Sequence, residues 1–366
     1  MRFPFVLLLG ASLGLTAAVA CTAFDAADEQ PQPPDSGGGP DASDASDANP
    51  DANPQPDATD DASTCALDCG GAACRGGACV AIPVLDDVDA IFGIAAADAD
   101  VFYSRHAALG GIGHVGPNGP PSEYIPMLDR PNDVVLVGDR LYYAVEGLPG
   151  VHYKDRTSSS RESVYLGSAP LRLSADGSGV AWLTASSVVW TNPDLEGLSS
   201  ENFGMSAVGE PIALTVGNGK TWIVRGERDG AHVLQVFGRP GPLTETTQLP
   251  ATNVTAIDSG MSGVFLAANA GVIVVSNTAG GVVADTVVPT ASLGGEPRGI
   301  DELDGVLYVV TVNGDVWRVE PNGAGLALLA RSPGCSGGRI AVSASWVYWT
   351  CMAGSASGAI RKTPRR

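Results

Sequence analysis

Residues 131–145 read Pro-Asn-Asp-Val-Val-Leu-Val-Gly-Asp-Arg-Leu-Tyr-Tyr-Ala-Val, two apolar runs joined by a short Gly-Asp turn. Val, Leu and Tyr favour strands, and Gly and Asp tolerate the backbone angles of a tight turn, so the stretch predicts a β-hairpin. The pattern occurs seven times between residue 91 and the C-terminus, about every 40 residues. Each repeat carries one large anchor residue in its second strand; these are Phe102, Tyr142, Trp182, Trp222, Phe265, Tyr308 and Tyr348.

A third apolar strand follows each hairpin, as at residues 188–191 and 316–319, and a weaker fourth strand follows that, as at 326–329. A fixed period near 40 residues built only of strands is typical of a β-propeller with one blade per repeat. The sequence therefore predicts an all-β, seven-bladed β-propeller of four-stranded blades over residues 81–366.

The ring has to close, because an unpaired last blade would expose a strand edge. The seventh repeat ends with its third strand, at residues 359–362, whereas residues 82–87 (Ile-Pro-Val-Leu-Asp-Asp) resemble the fourth strand of blade one at 125–130 (Ile-Pro-Met-Leu-Asp-Arg). We therefore expect residues 81–85 to complete blade seven from the N-terminal side. On this interpretation no blade uses residues 1–79, and the ring should form without them.

The N-terminus has the pattern of an export signal, predicted to span residues 1–20. Arg2 precedes an apolar stretch at 3–15 and then small residues, and that stretch is too short to span a membrane. Small residues before Cys21 are typical of a bacterial lipidation site, and Cys21 is the odd one of seven cysteines. The alternative is ordinary cleavage after Ala20 and a secreted product. Lipidation of Cys21 would instead anchor the protein in the cell envelope, at the outer membrane of a Gram-negative bacterium.

Residues 21–64 have the composition of a spacer. After Cys21 this segment holds eleven acidic residues and no basic ones. It therefore carries eleven of the 19 net negative charges of the chain. A segment so rich in Asp, Ala and Pro cannot bury a core and is expected to be a disordered, self-repelling tether.

Six cysteines remain for disulfides. Four lie in the segment 65–80, which predicts a small knob with two disulfides of undetermined connectivity; their spacing does not fit a common zinc ribbon. Two more flank the seventh hairpin and predict a disulfide across it, which would contribute roughly 3 kcal/mol in the chain-entropy model. The six are Cys65, Cys69, Cys74, Cys79, Cys335 and Cys351.

Motifs of catalysis are weak in this chain. Residues 334–338 match G-x-S-x-G and residues 111–116 match G-x-G-x-x-G. Both motifs require a strand-to-helix turn, whereas these stretches lie within predicted all-strand blades. With a pI near 4.4 and no basic stripe, the chain does not fit a nucleic-acid-binding protein.

Glu210, Asn253 and Glu296 occupy the same position in repeats four, five and six, where the innermost strand begins beside the central channel. Oxygen ligands converging there would suit Ca²⁺. The alternative interpretation is that these polar residues line a wet channel mouth without binding a metal.

Residues 340–350 (Ile-Ala-Val-Ser-Ala-Ser-Trp-Val-Tyr-Trp-Thr), followed by 358–362, resemble a YWTD propeller repeat, and 297–300 with 308–309 is similar to an NHL-type repeat. The whole layout resembles Gram-negative envelope lipoproteins: a lipidation site, an Asp/Ala/Pro spacer, a Cys-rich knob and such repeats. This resemblance implies a propeller held at the membrane by its lipid alone.

The leading functional hypothesis is an envelope-tethered, monomeric binding or scaffold module for a protein or glycan partner, with no cofactor and no catalysis. The alternative is a Ca²⁺-dependent, lactonase-like hydrolase with its site at the channel mouth. Glu210, Asn253 and Glu296 would then be the metal ligands.

Overall fold

A computed structural model of the chain describes residues 67–117, 119–158, 160–164, 168–194, 197–203, 208–227, 230–278, 281–352 and 357–365. These residues belong to one of two compact units, Asp60–Arg366. The predicted signal peptide, the spacer, Cys21 and Cys65 lie outside the described residues.

Seven sheets form a seven-bladed β-propeller, as predicted, and the strands that build each blade from the inside outward pair antiparallel. Three strands precede the first complete repeat: the short β1 Cys74–Arg75 and β2 Ala78–Val80, and the eight-residue β3 Ile82–Asp89. Blade one contains β4 Ile91–Ala97, β5 Asp100–Arg105, β6 Gly110–Val115 and β7 Ser122–Leu128. Blade two contains β8 Pro131–Val137, β9 Arg140–Val145, β10 Val151–Asp155 and β11 Glu162–Val164. Blade three contains β12 Arg172–Asp176, β13 Gly179–Leu183, β14 Ser187–Thr191 and β15 Ser199–Asn202.

The remaining blades repeat this order from the inside outward. Blade four contains β16 Val208–Gly217, β17 Lys220–Glu227, β18 His232–Gly238 and β19 Leu243–Gln248. Blade five contains β20 Val254–Gly260, β21 Gly263–Ala268, β22 Gly271–Thr278 and β23 Gly281–Pro289, and a short helix, α1 Thr290–Leu293, leads to the next blade. Blade six contains β24 Pro297–Leu303, β25 Val306–Thr311, β26 Val316–Val319 and β27 Ala327–Arg331. Blade seven contains β28 Ser336–Val342, β29 Trp346–Met352 and β30 Ser357–Pro364.

The hydrophobic core lies between the blades, in one apolar cluster per interface. In six blades the anchor residue of the second strand faces the next blade: Phe102 packs with Tyr143 of blade two, and Tyr308 with Trp349 of blade seven. These side chains are almost completely buried. Since burying an aromatic side chain contributes roughly 1.5–3 kcal/mol, the anchors hold each blade to its neighbour.

Blade three departs from the predicted repeat. Counted from the hairpin turn, Ala181 takes the position of the other anchors, and Trp182 faces back toward Tyr142 of blade two. Trp190, which pairs with Ala181 across the sheet, fills the interface with blade four and donates from its indole nitrogen to Thr221 Oγ1 at 2.5 Å. The prediction that Trp182 is the equivalent anchor is therefore wrong, because a large residue on the adjacent strand fills the same volume.

The N-terminal strand closes the ring, as predicted. β3 pairs antiparallel with β30 and is the outermost strand of blade seven. It extends beyond the predicted 81–85, to Asp89. Arg361 of β30 reinforces the join: its Nη1 donates to the carbonyl of Leu85 at 3.2 Å and lies 2.5 Å from Asp86 Oδ1.

The expectation that no blade uses residues 1–79 is wrong. β2 pairs in parallel with β27, placing Cys79 opposite Ala330, so blade six gains a fifth strand, and β1 adds a sixth. A disulfide joins Cys69 to Cys79. Strands of two or three residues have no readable periodicity, so only tertiary pairing shows this attachment.

We expect the closing strand to matter more than the added strands. A chain beginning at Ala90 lacks β3 and leaves the outer edge of β30 unpaired, losing ladder hydrogen bonds worth roughly 1 kcal/mol each. It should melt at a markedly lower temperature than Asp60–Arg366, or aggregate. A chain beginning at Ala81 lacks only β1 and β2 and should lose less. Thermal melts of the three chains test this order, and equal midpoints for all three would contradict it.

Candidate functional site

The innermost strands of all seven blades line a central cavity of about 270 Å³. One residue per blade, directly opposite the anchor position in the hairpin, lies on its wall. We call this set the channel ring: Ala95, Val135, Ser174, Thr215, Asp258, Asp301 and Ala341. The ring is polar in blades three to six and apolar in blades seven, one and two.

Polar side chains of the ring bind the backbone of the following blade. Asp258 Oδ2 accepts the N–H of Glu302 at 2.7 Å, and Asp301 Oδ2 accepts the N–H of Val342 at 2.6 Å. Ser174 makes the equivalent bond to blade four at 3.1 Å. These bonds satisfy backbone donors that a strand facing the channel would otherwise leave unpaired, since neighbouring blades share no β-ladder.

Asp258 and Asp301 form a carboxyl pair in adjacent blades. Burial raises the pKa of Asp258 to about 6, although backbone N–H groups of Glu302 and Ser259 oppose the shift. Burial, followed by the charge of Asp258, raises the pKa of Asp301 well above its ordinary value. Both shifts have the cause expected for carboxylates taken out of water beside like charges. The pair therefore holds a proton more readily than an exposed pair would.

Glu210, Asn253 and Glu296 lie at the upper face, where the innermost strands begin. Each directly precedes an equivalent residue of its strand, so the predicted register is correct. Glu296 Oε2 lies 3.3 Å from Arg298 Nη2, and Glu210 is exposed. Among the described residues, no group of three or more His, Cys, Asp or Glu could hold a metal ion. Calcium binding by these three residues stays a prediction.

The predicted disulfide across blade seven is present, between Cys335 and Cys351. Ser336 of the G-x-S-x-G match begins β28 and enters a strand, not a helix. The four-cysteine segment contributes the bond between Cys69 and Cys79, and Cys74 is also disulfide-bonded.

Four large apolar side chains are exposed at the upper ends of the strands of blades one and two, and we call them the patch. They are Phe92, Leu109, Met127 and Leu148, which are exposed by 38%, 82%, 80% and 45%. A bulge in β7 presents Met127: the residue is inserted between two ladder pairs and has a φ of 56°. Sequence reasoning missed the patch, because a single Leu or Met in a turn has no periodic signal.

Charged side chains lie beside Phe92, at one edge of the patch. Glu146 Oε2 lies 3.4 Å from Arg130 Nη1 and 3.6 Å from His106 Nε2, and the ring of His106 stacks on Phe92 with centroids 3.9 Å apart. An apolar centre with a polar rim is the usual anatomy of a protein interface.

No family model and no curated protein matches this chain. Among solved structures, YCF48 from Cyanidioschyzon merolae is similar at 13% identity and a TM-score of 0.56, covering 78% of this chain and 98% of that one. The computationally designed protein Ika8 is similar at 10% identity and a TM-score of 0.52, covering 77% and 98%. BamB from Moraxella catarrhalis gives 12% identity and a TM-score of 0.46, covering 75% and 86%. The first two support the propeller fold alone.

No helix among the described residues has the length and apolar character that crossing a membrane requires.

The carboxyl pair predicts a pH dependence of stability. Because the pKa values of Asp258 and Asp301 are raised in the folded state, their contribution is complete below about pH 4 and is lost as pH rises through about 6 and above. Asp301→Asn keeps an oxygen acceptor for Val342 and removes one charge. At pH 8 we expect the Tm of this variant to exceed that of wild type by roughly 2–4 °C for each kcal/mol of repulsion that is relieved. Near pH 4 the two proteins should melt at the same temperature.

Melting curves across this pH range, with exposed Asp285→Asn as the matched control, measure the effect. A lower Tm for Asp301→Asn at pH 8 would show that the charge of Asp301 stabilises the channel.

Proposed function

We propose that this protein is a tethered binding module of the cell envelope that holds a protein partner through the upper face of blades one and two. The observation that carries the proposal is that Leu109 and Met127 are both exposed at one point of blade one. Leu109 precedes Gly110 and Met127 precedes Leu128, and Gly110 and Leu128 are partners in the β-ladder. Exposed apolar side chains that lie together and are rimmed by charge mark interaction sites more often than scattered ones do.

The backbone of Met127 supports the same interpretation. A positive φ in a residue other than Gly or Asn is uncommon and costs on the order of 1 kcal/mol. The bulge that imposes this conformation turns a Met outward when an alternating strand would allow it to point inward. Strain kept at an exposed apolar residue is expected where the residue serves binding.

A protein fits this patch better than a glycan does. Leu109, Met127 and Leu148 are aliphatic, whereas sugar recognition depends on hydrogen-bonding groups that these side chains lack. Met adapts its shape to varied apolar partners and is common at protein-binding surfaces. The charges of Arg130 and Glu146 at the rim would set the orientation of a partner.

The patch proposal predicts a difference between two equally exposed methionines. Met127 and Met261 are both 80% exposed, but Met261 lies in the turn between β20 and β21, on the opposite face. In pull-downs from envelope extract followed by mass spectrometry, Met127→Asp should lose a partner that wild type and Met261→Asp both retain. Replacing an interface residue at the centre of a patch costs roughly 2 kcal/mol or more of binding free energy, which is about thirtyfold in affinity.

Circular dichroism and a melt of each variant show whether folding is intact. An identical set of captured proteins for Met127→Asp and wild type would contradict the assignment of the patch.

The tether in this proposal is the lipid on Cys21. The export signal and the acidic spacer support it, since the lipid would be the membrane contact and the spacer would hold the propeller away from the surface. Cys21→Ser should move the protein from the membrane fraction to the soluble fraction, because a lipid chain is needed for anchoring. Fractionation of wild type and mutant decides this, and identical distributions would indicate ordinary cleavage and secretion.

A further inference from the structure

In each innermost strand, the residue two positions before the channel-ring residue lies nearer to the upper face. We call this set the upper ring: Gly93, Asp133, Arg172, Ala213, Ala256, Gly299 and Arg339. Four of the seven blades carry Gly or Ala here. Of the ring, Asp133, Ala256, Gly299 and Arg339 line the central cavity. Two arginines occupy the upper ring from blades three and seven, so they approach the channel from different sides.

The backbone before Arg339 is built around two glycines. A Cβ on Gly337 would lie 2.2 Å from the carbonyl oxygen of Thr311 in blade six, and one on Gly338 would lie 2.6 Å from Thr350 Oγ1. A bulge interrupts the pairing between Gly337 and Ile340. Bulges re-aim side chains, and here the result is that Arg339 lines the central cavity.

Neither arginine forms an ion pair among the described residues, although the charge of Asp133 acts on Arg172. Arg172 Nη1 donates to the carbonyl of Leu171 at 2.8 Å, while its buried Nε has no hydrogen-bond partner there. In the same part of the chain, the Arg339 guanidinium forms no ion pair. The Nε of Arg172 therefore has a free hydrogen bond to give to an oxygen of a ligand or of water.

Asp133, the acidic residue of the upper ring, already accepts hydrogen bonds with both of its carboxylate oxygens. Asp133 is 8% exposed, and its Oδ1 and Oδ2 accept the backbone N–H groups of Val134 and Leu173, each at 3.0 Å. A Cβ on Gly93 would lie 2.9 Å from Asp133 Oδ1, so blade one also closes on this carboxylate. Asp133 therefore serves the joint between blades two and three.

The electrostatics agree with this geometry. Burial lowers the pKa of Arg172, the charge of Arg339 lowers it further, and Asp133 offsets part of the shift. The two cations thus repel each other in a partly dehydrated space, which costs folding free energy unless an anion lies between them.

We propose that Arg172 and Arg339 form a binding site for a small oxyanion, a carboxylate or phosphate group, at the upper mouth of the central channel. Guanidinium groups present planar pairs of donors that match the oxygens of both groups. The room for the anion is the central cavity of about 270 Å³, which Arg339 lines together with Leu173, the residue that follows Arg172. This site is separate from the patch on blades one and two, and the proposal does not depend on it.

The test measures stabilisation of the purified protein by inorganic phosphate and by acetate at constant ionic strength, with chloride as the reference salt. A ligand that binds only the folded state raises Tm, and the rise grows with the logarithm of the ratio of its concentration to its Kd. Wild type should be stabilised by at least one of the two probes, and the stronger probe identifies the preferred oxyanion. Arg339→Gln should weaken binding of that probe about tenfold or more, as loss of a charged hydrogen-bond donor implies.

Arg298→Gln is the matched control, since Arg298 lies on the same face and pairs with Glu296 outside the cavity lining. It should bind the probe as wild type does. Without the probe, Arg339→Gln should melt at or above the wild-type temperature, because repulsion from Arg172 is removed. No stabilisation beyond chloride, equal binding by Arg339→Gln, or a lower Tm for Arg339→Gln without the probe would each overturn the proposal.

Discussion

Packing between neighbouring blades is the constraint on which the structure depends. Each sheet is too small to bury its own apolar residues, so every blade needs two neighbours, and seven clusters of buried side chains supply them. No blade is at an end of the array, because β3 supplies the fourth strand of blade seven. The N-terminal strand β3 and the last strand β30 therefore share one sheet, and closure of the ring depends on their pairing.

This packing also determines the chemistry of the channel. Innermost strands of adjacent blades do not form a common ladder, so backbone donors near the axis need side-chain acceptors. Asp258 and Asp301 supply them, at the expense of placing carboxyl groups where water is scarce. The raised pKa values follow from this position, and the pair is primarily part of the scaffold.

Features beyond the needs of the scaffold are the ones that suggest function. Met127 lies in a strained bulge with its side chain in solvent, and Arg339 follows two closely packed glycines and faces the cavity. A stable propeller requires neither arrangement, since a small polar residue at either position would relieve strain or charge repulsion. The first suits a protein partner, and the second suits an oxyanion.

The sequence by itself determined the fold class, the number of blades, the closing strand and the cross-strand disulfide of blade seven. These properties follow from local patterns, such as strand alternation, turn residues and a period near 40, which repeat often enough to exceed chance. Only the tertiary structure decided that Trp190 replaces the anchor of blade three, that β2 joins blade six, and that Arg339 lines the central cavity. The reason is physical: these contacts join residues that are distant in the chain, and their geometry depends on how whole blades pack.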